Sequence, residues 1–355
     1  MIVYAKFISE TKPKSLYMQA VRVMTTAICA VCLLSATSLI APAQETSTLL
    51  VLRPRPKASD ADKITSVAPV IESSIIAPIV QSDVFEIRIG GKPATITSWT
   101  PLLNGPTNLQ LVVLFDSQLR IGIGHQLDEI RNLFNSLPLN VEIAVGFMLQ
   151  GKAVIKQPFT PDRKLAGDAL HLPTREESIN PKNNSGGLSA LHDLAAHWPD
   201  PDPKKIRAVL VFTDGASRYD NLGGTVHTNQ EVDTVSKDLI RAGIAPFGVF
   251  YVNTDYRAGS PLNSGALNKI NFGGQNDLDQ LAKMTNGEAL YYPEQTTSML
   301  SSLFYRFYSI LYSEALVTVT TKGSGLQRLD VKSSSDAIKV VGPDQVMIGN
   351  ELPAK

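Results

Sequence analysis

The chain has 355 residues, 43% of them hydrophobic and 19% charged, which is enough apolar material for a packed core and excludes wholesale disorder. Thirty-three basic residues balance thirty-three acidic ones, so nothing in the charge favours nucleic acid or an anionic membrane surface. The length allows one large domain or two small ones.

The amino-terminal segment is set apart from any core. Arg22 precedes an uncharged apolar stretch over residues 23–40, and Ala41-Pro42-Ala43 supplies the small-x-small pattern of a cleavage site. Residues 1–43 are therefore expected to be a secretory signal peptide, with an uncleaved anchor helix as the alternative. Met18 is an alternative start. Without these residues 29 basic and 32 acidic side chains remain, a net charge near −3. Both cysteines, Cys29 and Cys32, lie in the segment removed, so the exported chain would fold without disulfides and lack a thiol nucleophile or a cysteine metal site. No later apolar run is long enough to span a bilayer. The expected location is periplasmic, cell-surface or extracellular.

Residues 44–81, rich in Ser, Pro, Ala and Ile without a settled period, are expected to form a flexible linker with one short strand at 49–52. Residues 82–107 carry a β-hairpin, because alternating runs at 84–89 and 94–99 flank Gly90-Gly91. From residue 109 strands alternate with helices. The expected order is a strand at 109–115, a helix at 125–137 and two antiparallel strands at 141–149 and 152–157, joined at Gln150-Gly151. A short helix at 162–170, a helix at 187–198 and a strand at 206–212 come next. A helix at 231–242, a strand at 246–252, a helix at 277–285 and a strand at 288–292 complete the alternation. A helix over 297–313 with an aromatic stripe, read as core packing, closes this region. Strands at 315–320, 327–332 and 337–341 form a carboxy-terminal extension over 315–355. The fold class is α/β: a mostly parallel sheet over 108–314 with helices on both faces and one antiparallel edge strand. A small flanking β-sheet is built from N- and C-terminal strands.

Two apolar strands end abruptly in acids, at Asp116-Ser117 and at Thr213-Asp214-Gly215. Buried parallel strands deliver such side chains to the carboxyl edge of a sheet, where α/β proteins bind ligands. The loop after Asp214 carries Arg218 and Tyr219, residue types favoured at interface hot spots. A second loop, over 253–274, adds Tyr256 and Arg257. Enzyme signatures are weak. Gly122-Ile123-Gly124 lacks the third glycine of a dinucleotide fingerprint. Gly187-Leu188-Ser189-Ala190-Leu191 has leucine where a nucleophile elbow closes on glycine. His125, His171, His192, His197 and His227 are scattered. With no nucleophile–base–orienter set, a non-enzymatic protein is expected.

These strand ends, with Gly186-Gly187-Leu188-Ser189-Ala190-Leu191 opening a helix, resemble the von Willebrand factor A (VWA) domain. The form most resembled is the VWFA-related domain of secreted acidobacterial proteins, over residues 84–348. The segments 126–130, 145–148, 158–160, 274–278 and 281–287 support it. The resemblance implies a Rossmann-like three-layer VWA fold with a ligand site on the top edge of the sheet, used by most relatives for adhesion or protein assembly. In metal-binding relatives the first strand ends in Asp-x-Ser-x-Ser, and a Thr and a second Asp complete a Mg²⁺ site. Here Asp116, Ser189 and Asp214 match an oxygen ligand of that frame, while Gln118 and Arg120 replace both serines. The guanidinium of Arg120 competes with a cation, so an ion pair with Asp116 or Asp214 is expected in the metal's place. The alternatives are a weakened Mg²⁺ site, to which Gln118 offers a carbonyl, and an Arg120 that points to solvent. The reading is a secreted protein-binding module with a degenerate metal-ion-dependent adhesion site and no cofactor, using Asp116, Ser117, Gln118, Arg120, Ser189, Asp214, Arg218 and Tyr219 toward an unidentified protein. The alternatives are a Mg²⁺-dependent adhesion domain and a structural part of an envelope assembly.

Overall fold

The computed structural model describes residues 45–56, 84–103, 108–116, 126–171, 187–200, 202, 204–213, 229–251, 264–291, 300–336 and 338–349. The expected signal peptide lies outside the described residues. Residues 45–355 form one compact unit.

Strands β4 (Leu109–Asp116) and β7 (Ile206–Thr213) are buried at every position, which explains their near-continuous apolar sequence. With β5 (Val141–Leu149), β6 (Lys152–Thr160), β8 (Ile244–Phe250) and β9 (Glu288–Tyr291) they build a six-stranded sheet, ordered β6-β5-β4-β7-β8-β9. All neighbours are parallel except β5 and β6, whose hairpin turns at Gln150 (φ 54°) and Gly151 (φ 73°). Both residues sit in the left-handed region that a two-residue hairpin of this twist requires.

Helices α1 (Leu127–Ser136), α2 (Arg163–Asp168) and α6 (Leu300–Ser313) cover one face of this sheet, and α3 (Gly187–Ala196), α4 (Asn229–Ala242) and α5 (Ser264–Thr285) cover the other. Alternation along β4 sends Leu111, Val113 and Phe115 to the first face and Val112 and Leu114 to the second. Ile130, Leu133 and Phe134, spaced for one helical face, are buried from α1. On α6, Phe304, Phe307 and Leu311 are buried while Tyr305 is 55% exposed, so the aromatic stripe is core packing. Asp162 caps α2 by accepting from the amides of Lys164 (2.9 Å) and Leu165 (3.1 Å).

The second sheet departs from expectation in size. It has seven strands, one more than the central sheet, all antiparallel in the order β12-β1-β10-β3-β2-β11-β13. These are β1 (Glu45–Pro56), β2 (Phe85–Ile89), β3 (Lys92–Pro101), β10 (Ala315–Lys322), β11 (Gly325–Ser333), β12 (Ile338–Val341) and β13 (Gln345–Ile348). It encloses a core of its own, with Leu50, Leu52, Ile87, Val317 and Val346 buried inside. The chain expected to be a linker with a strand at 49–52 instead holds the twelve-residue β1, paired to β10 over eight residues and to β12 over four. Its Arg53-Pro54-Arg55-Pro56 end hides the strand from sequence reading. The prolines are tolerated because β10 pairing stops at Leu52, so the side that lacks their N–H groups has no ladder to break. Residues 264–274, expected as loop, are the first half of α5. Leu278 and Leu281 anchor the second half against the sheet, and propagating a helix costs less than starting one.

Candidate functional site

Asp116 ends β4 beside the end of β7, and only 7% of its surface is exposed. Thr213 Oγ1 donates to Asp116 Oδ2 at 3.1 Å, a buried bond between the last residues of the two strands. The Thr213 carbonyl accepts from the Tyr251 amide at 2.8 Å, and the Tyr251 hydroxyl donates to Gln126 Oε1, also buried. Helix α3 begins against this group: a Cβ on Gly187 would lie 3.6 Å from both Thr213 Oγ1 and Met148 Sδ. Ser189, in the first turn of α3, is half-buried. The orphan amides of a helix start face negative charge favourably, and α3 starts at this end of the sheet. Below it, Phe115 stacks on Phe212 with centroids 4.9 Å apart and meets Phe147 at 5.8 Å, a rigid apolar floor.

Of the eight residues expected at the site, Asp116 and Ser189 are described, and both belong to this edge. Ser117, Gln118, Arg120, Asp214, Arg218 and Tyr219 lie outside the described residues, as do Tyr256 and Arg257 of the second loop. Thr213, Gln126 and Tyr251 were not expected to matter. Thr213 stood in the strand-end motif, but only the parallel register that sets β7 beside β4 gives it Asp116 as a partner. Of the three described histidines, His192 pairs with Asp238 at 2.8 Å and His197 with Asp193 at 3.1 Å, while His171 lies against the Phe147 ring with centroids 4.6 Å apart. Among the described residues no cluster of three or more His, Cys, Asp or Glu side chains could hold a metal.

A hard divalent cation needs oxygen ligands and retained waters, and at this edge the Thr213 hydroxyl is directed at the Asp116 carboxylate, so a cation bound there would share that carboxylate with a donor.

A second polar centre was not foreseen. Arg53 is 1% exposed, and its Nη2 and Nε reach Glu314 Oε1 at 2.7 and 3.2 Å, while Nη1 reaches Glu288 Oε2 at 2.9 Å. Its Nη2 also donates to the Asn286 carbonyl at 3.0 Å. Arg55 and Arg306 both bond Glu288. Burial alone would raise the Glu288 carboxyl, but Arg55, Arg306 and Arg53 outweigh it and hold it below the usual carboxylate range. Burial pushes Glu314 upward against the pull of Arg53. This centre ties β1 to β9 and to the end of α6, and it shares no residue with the strand-end site.

No family model matches the chain, and no curated protein matches it. Several solved structures are similar. An aerotolerance-related membrane protein from Bacteroides fragilis is 15% identical with a TM-score of 0.39, over 57% of this chain and 98% of that one. The SpRpn10 VWA domain is 11% identical with a TM-score of 0.31, over 56% and 95%. The pilus adhesin SpaC from Lactobacillus rhamnosus GG is 8% identical with a TM-score of 0.38, over 75% of this chain and 47% of the adhesin. At such scores these likenesses carry no argument, and the α/β assignment rests on the strand order itself. No helix among the described residues is long and apolar enough to cross a membrane.

Proposed function

We propose that the chain is an exported, non-catalytic binding module of VWA type, whose recognition surface is the carboxyl edge of the central sheet. One observation carries this reading. The strand order reverses at β4, with β5 on one side and β7 on the other, and α/β sheets bind ligands at the carboxyl ends flanking such a reversal. Asp116 and Thr213 occupy that position, and Asp214 follows directly in sequence. Around them the surface comprises Ser117, Gln118, Arg120, Ser189, Arg218 and Tyr219. Binding uses a polar patch in which Arg120 neutralises Asp116 or Asp214, with a protein as the ligand. Arg and Tyr on the neighbouring loop supply the anchoring chemistry.

The competing reading is a Mg²⁺-dependent adhesion domain, favoured by the oxygen donors kept at Asp116, Ser189 and Asp214. A cross-linking capture from the exported fraction, with wild type, Asp116→Ala and Arg120→Ala, each with and without EDTA, separates the two. The proposal expects capture that survives EDTA and fails in both variants. Capture abolished by EDTA supports the metal reading, and capture unaffected by either variant removes the recognition edge from this site. The third reading, an envelope component binding through its extra strands, is not separable by deleting residues 315–355. That deletion removes β10, which pairs with both β1 and β3, and would unfold the sheet.

A further inference from the structure

The seven-stranded sheet curls until its ends meet, but the closure is half complete. β12 and β13 run in the same direction and are separated by three residues, so they act as one bent strand that changes partner at Gly342. The first half pairs with β1 at 53–56, and the second half pairs with β11. At Gly342 the chain packs closely on β1, since a Cβ there would lie 2.8 Å from Leu52 Cδ2. Between β13 and residues 45–52 of β1 there is no ladder among the described residues. The seam opens into a cleft of about 460 Å³, bounded opposite by the amino ends of β7 and β8 and thus at the far edge of the central sheet from Asp116.

The backbone along this seam offers hydrogen bonds. Arg53 pairs with Val341 on the β12 side, and the Val51 carbonyl accepts from Asn286 Nδ2 at 3.1 Å. Because strand polarity alternates with a period of two, Ser47 and Leu49 direct their amides and carbonyls to the same side. The charge is one-sided. Lys204, Lys205, Arg207 and Arg241 line the cleft and no carboxylate does; Lys205 pairs with Glu142 and Asp200, Arg241 pairs with Asp238, and the buried Arg207 donates to the Ala242 and Asp200 carbonyls, so it is the exposed Lys204 that has no acidic partner within ion-pair distance among the described residues. Leu49, 38% exposed, adds an apolar contact on the rim.

We infer that this seam is a strand-addition site for an extended acidic peptide segment of a partner protein. The peptide pairs with the open edge of β1 at Ser47 and Leu49, and its carboxylates face Lys204 at the rim. Strand addition takes affinity from the main chain and selectivity from alternate side chains.

The test is fluorescence anisotropy on the full chain with labelled Thr-Val-Glu-Val-Thr-Val-Glu-Val, against the same peptide with both Glu replaced by Lys. The expected result is saturable binding of the acidic peptide, weaker by about tenfold or more for the lysine peptide and for Leu49→Pro, which deletes an outward N–H. Lys204→Glu should weaken it by a smaller factor and flatten its salt dependence. If Leu49→Pro does not fold, hydrogen exchange decides: the acidic peptide should protect the Ser47 and Leu49 amides of the wild type. Equal binding of both peptides, or binding without that protection, overturns the proposal. So does binding that appears only after removal of residues 350–355, which assigns the seam to the chain's own end. Dimerisation without peptide binding overturns it too, assigning the seam to a second copy.

Discussion

The carboxyl edge of the central sheet and the buried centre at Arg53 are both polar groups set in an apolar protein, but they are specified differently. Asp116 is placed by its own strand: all eight residues of β4 are buried, and the eighth is the acid at the carboxyl edge of the sheet. Arg53 is placed by groups 235 and 261 residues away, which neutralise it where β1 meets the central domain. A local pattern marks the first kind of site. The second exists only once two sheets have docked, and it serves to hold them.

The difference is sharpest when one partner is removed. Arg53→Met should destabilise the protein by about 3–5 kcal/mol, because Glu314 would be left buried and uncompensated. The urea midpoint measures it, and Arg53→Met with Glu314→Leu should recover much of the loss. A recovery of nothing would mean the cost comes from packing against Phe247, over whose ring the guanidinium lies at 6.0 Å.

Legibility in the sequence follows the same division. Period and turn chemistry were enough for β4, β7, the Gln150-Gly151 hairpin and the buried stripe of α1, because each is decided within a dozen residues. β1 was not legible beyond 49–52, since its prolines argue against a strand unless the edge they face is known to be unpaired. β13 was missed altogether: Gln345–Ile348 is four residues long and is a strand only because β11 is beside it. At the site, the acid of β4 was legible and its partner Thr213 was not, for the same reason of register. The curled second sheet, expected to be small, was underestimated because its strands come from both ends of the sequence.

Gly287 follows in expected magnitude. A Cβ there would lie 1.8 Å from the Pro246 carbonyl oxygen, so Gly287→Ala must push β8 and β9 apart. A loss of about 2–3 kcal/mol is expected, seen as a lower thermal midpoint. It also bears on the junction, since Asn286 (φ 66°) caps α5 and carries the carbonyl that Arg53 bonds. Thr213→Val tests the edge in the same units. It removes the donor to Asp116 and should cost about 1–3 kcal/mol, the ordinary penalty for an unsatisfied buried group. Equal losses from Thr213→Val and Arg53→Met would erase the distinction between the two sites.

Acid gives the smallest and most gradual effect. Glu288 is held below the usual range by its three arginines, and Asp200 by Lys205 first and the Asp202 amide second. Groups depressed in the folded state stabilise it above the unfolded carboxylate range, about pH 4, and that contribution is lost as pH falls through their folded values. Glu314, raised by burial, has the opposite sign, contributing below the unfolded value and losing that contribution as pH rises through its folded value. Denaturant midpoints should therefore fall below about pH 4, and Glu288→Gln should make the fall shallower. An unchanged slope would show that the junction carboxylates titrate alike in the folded and unfolded chains.

The central claim is that the strand-end acids are served by the protein's own cation and not by a metal. Calorimetric titration of Mg²⁺ into wild type and Arg120→Ser tests it most directly. The account predicts no micromolar binding to wild type and measurable one-to-one binding once Arg120 is replaced by serine. Saturable micromolar binding of one Mg²⁺ by wild type would contradict it.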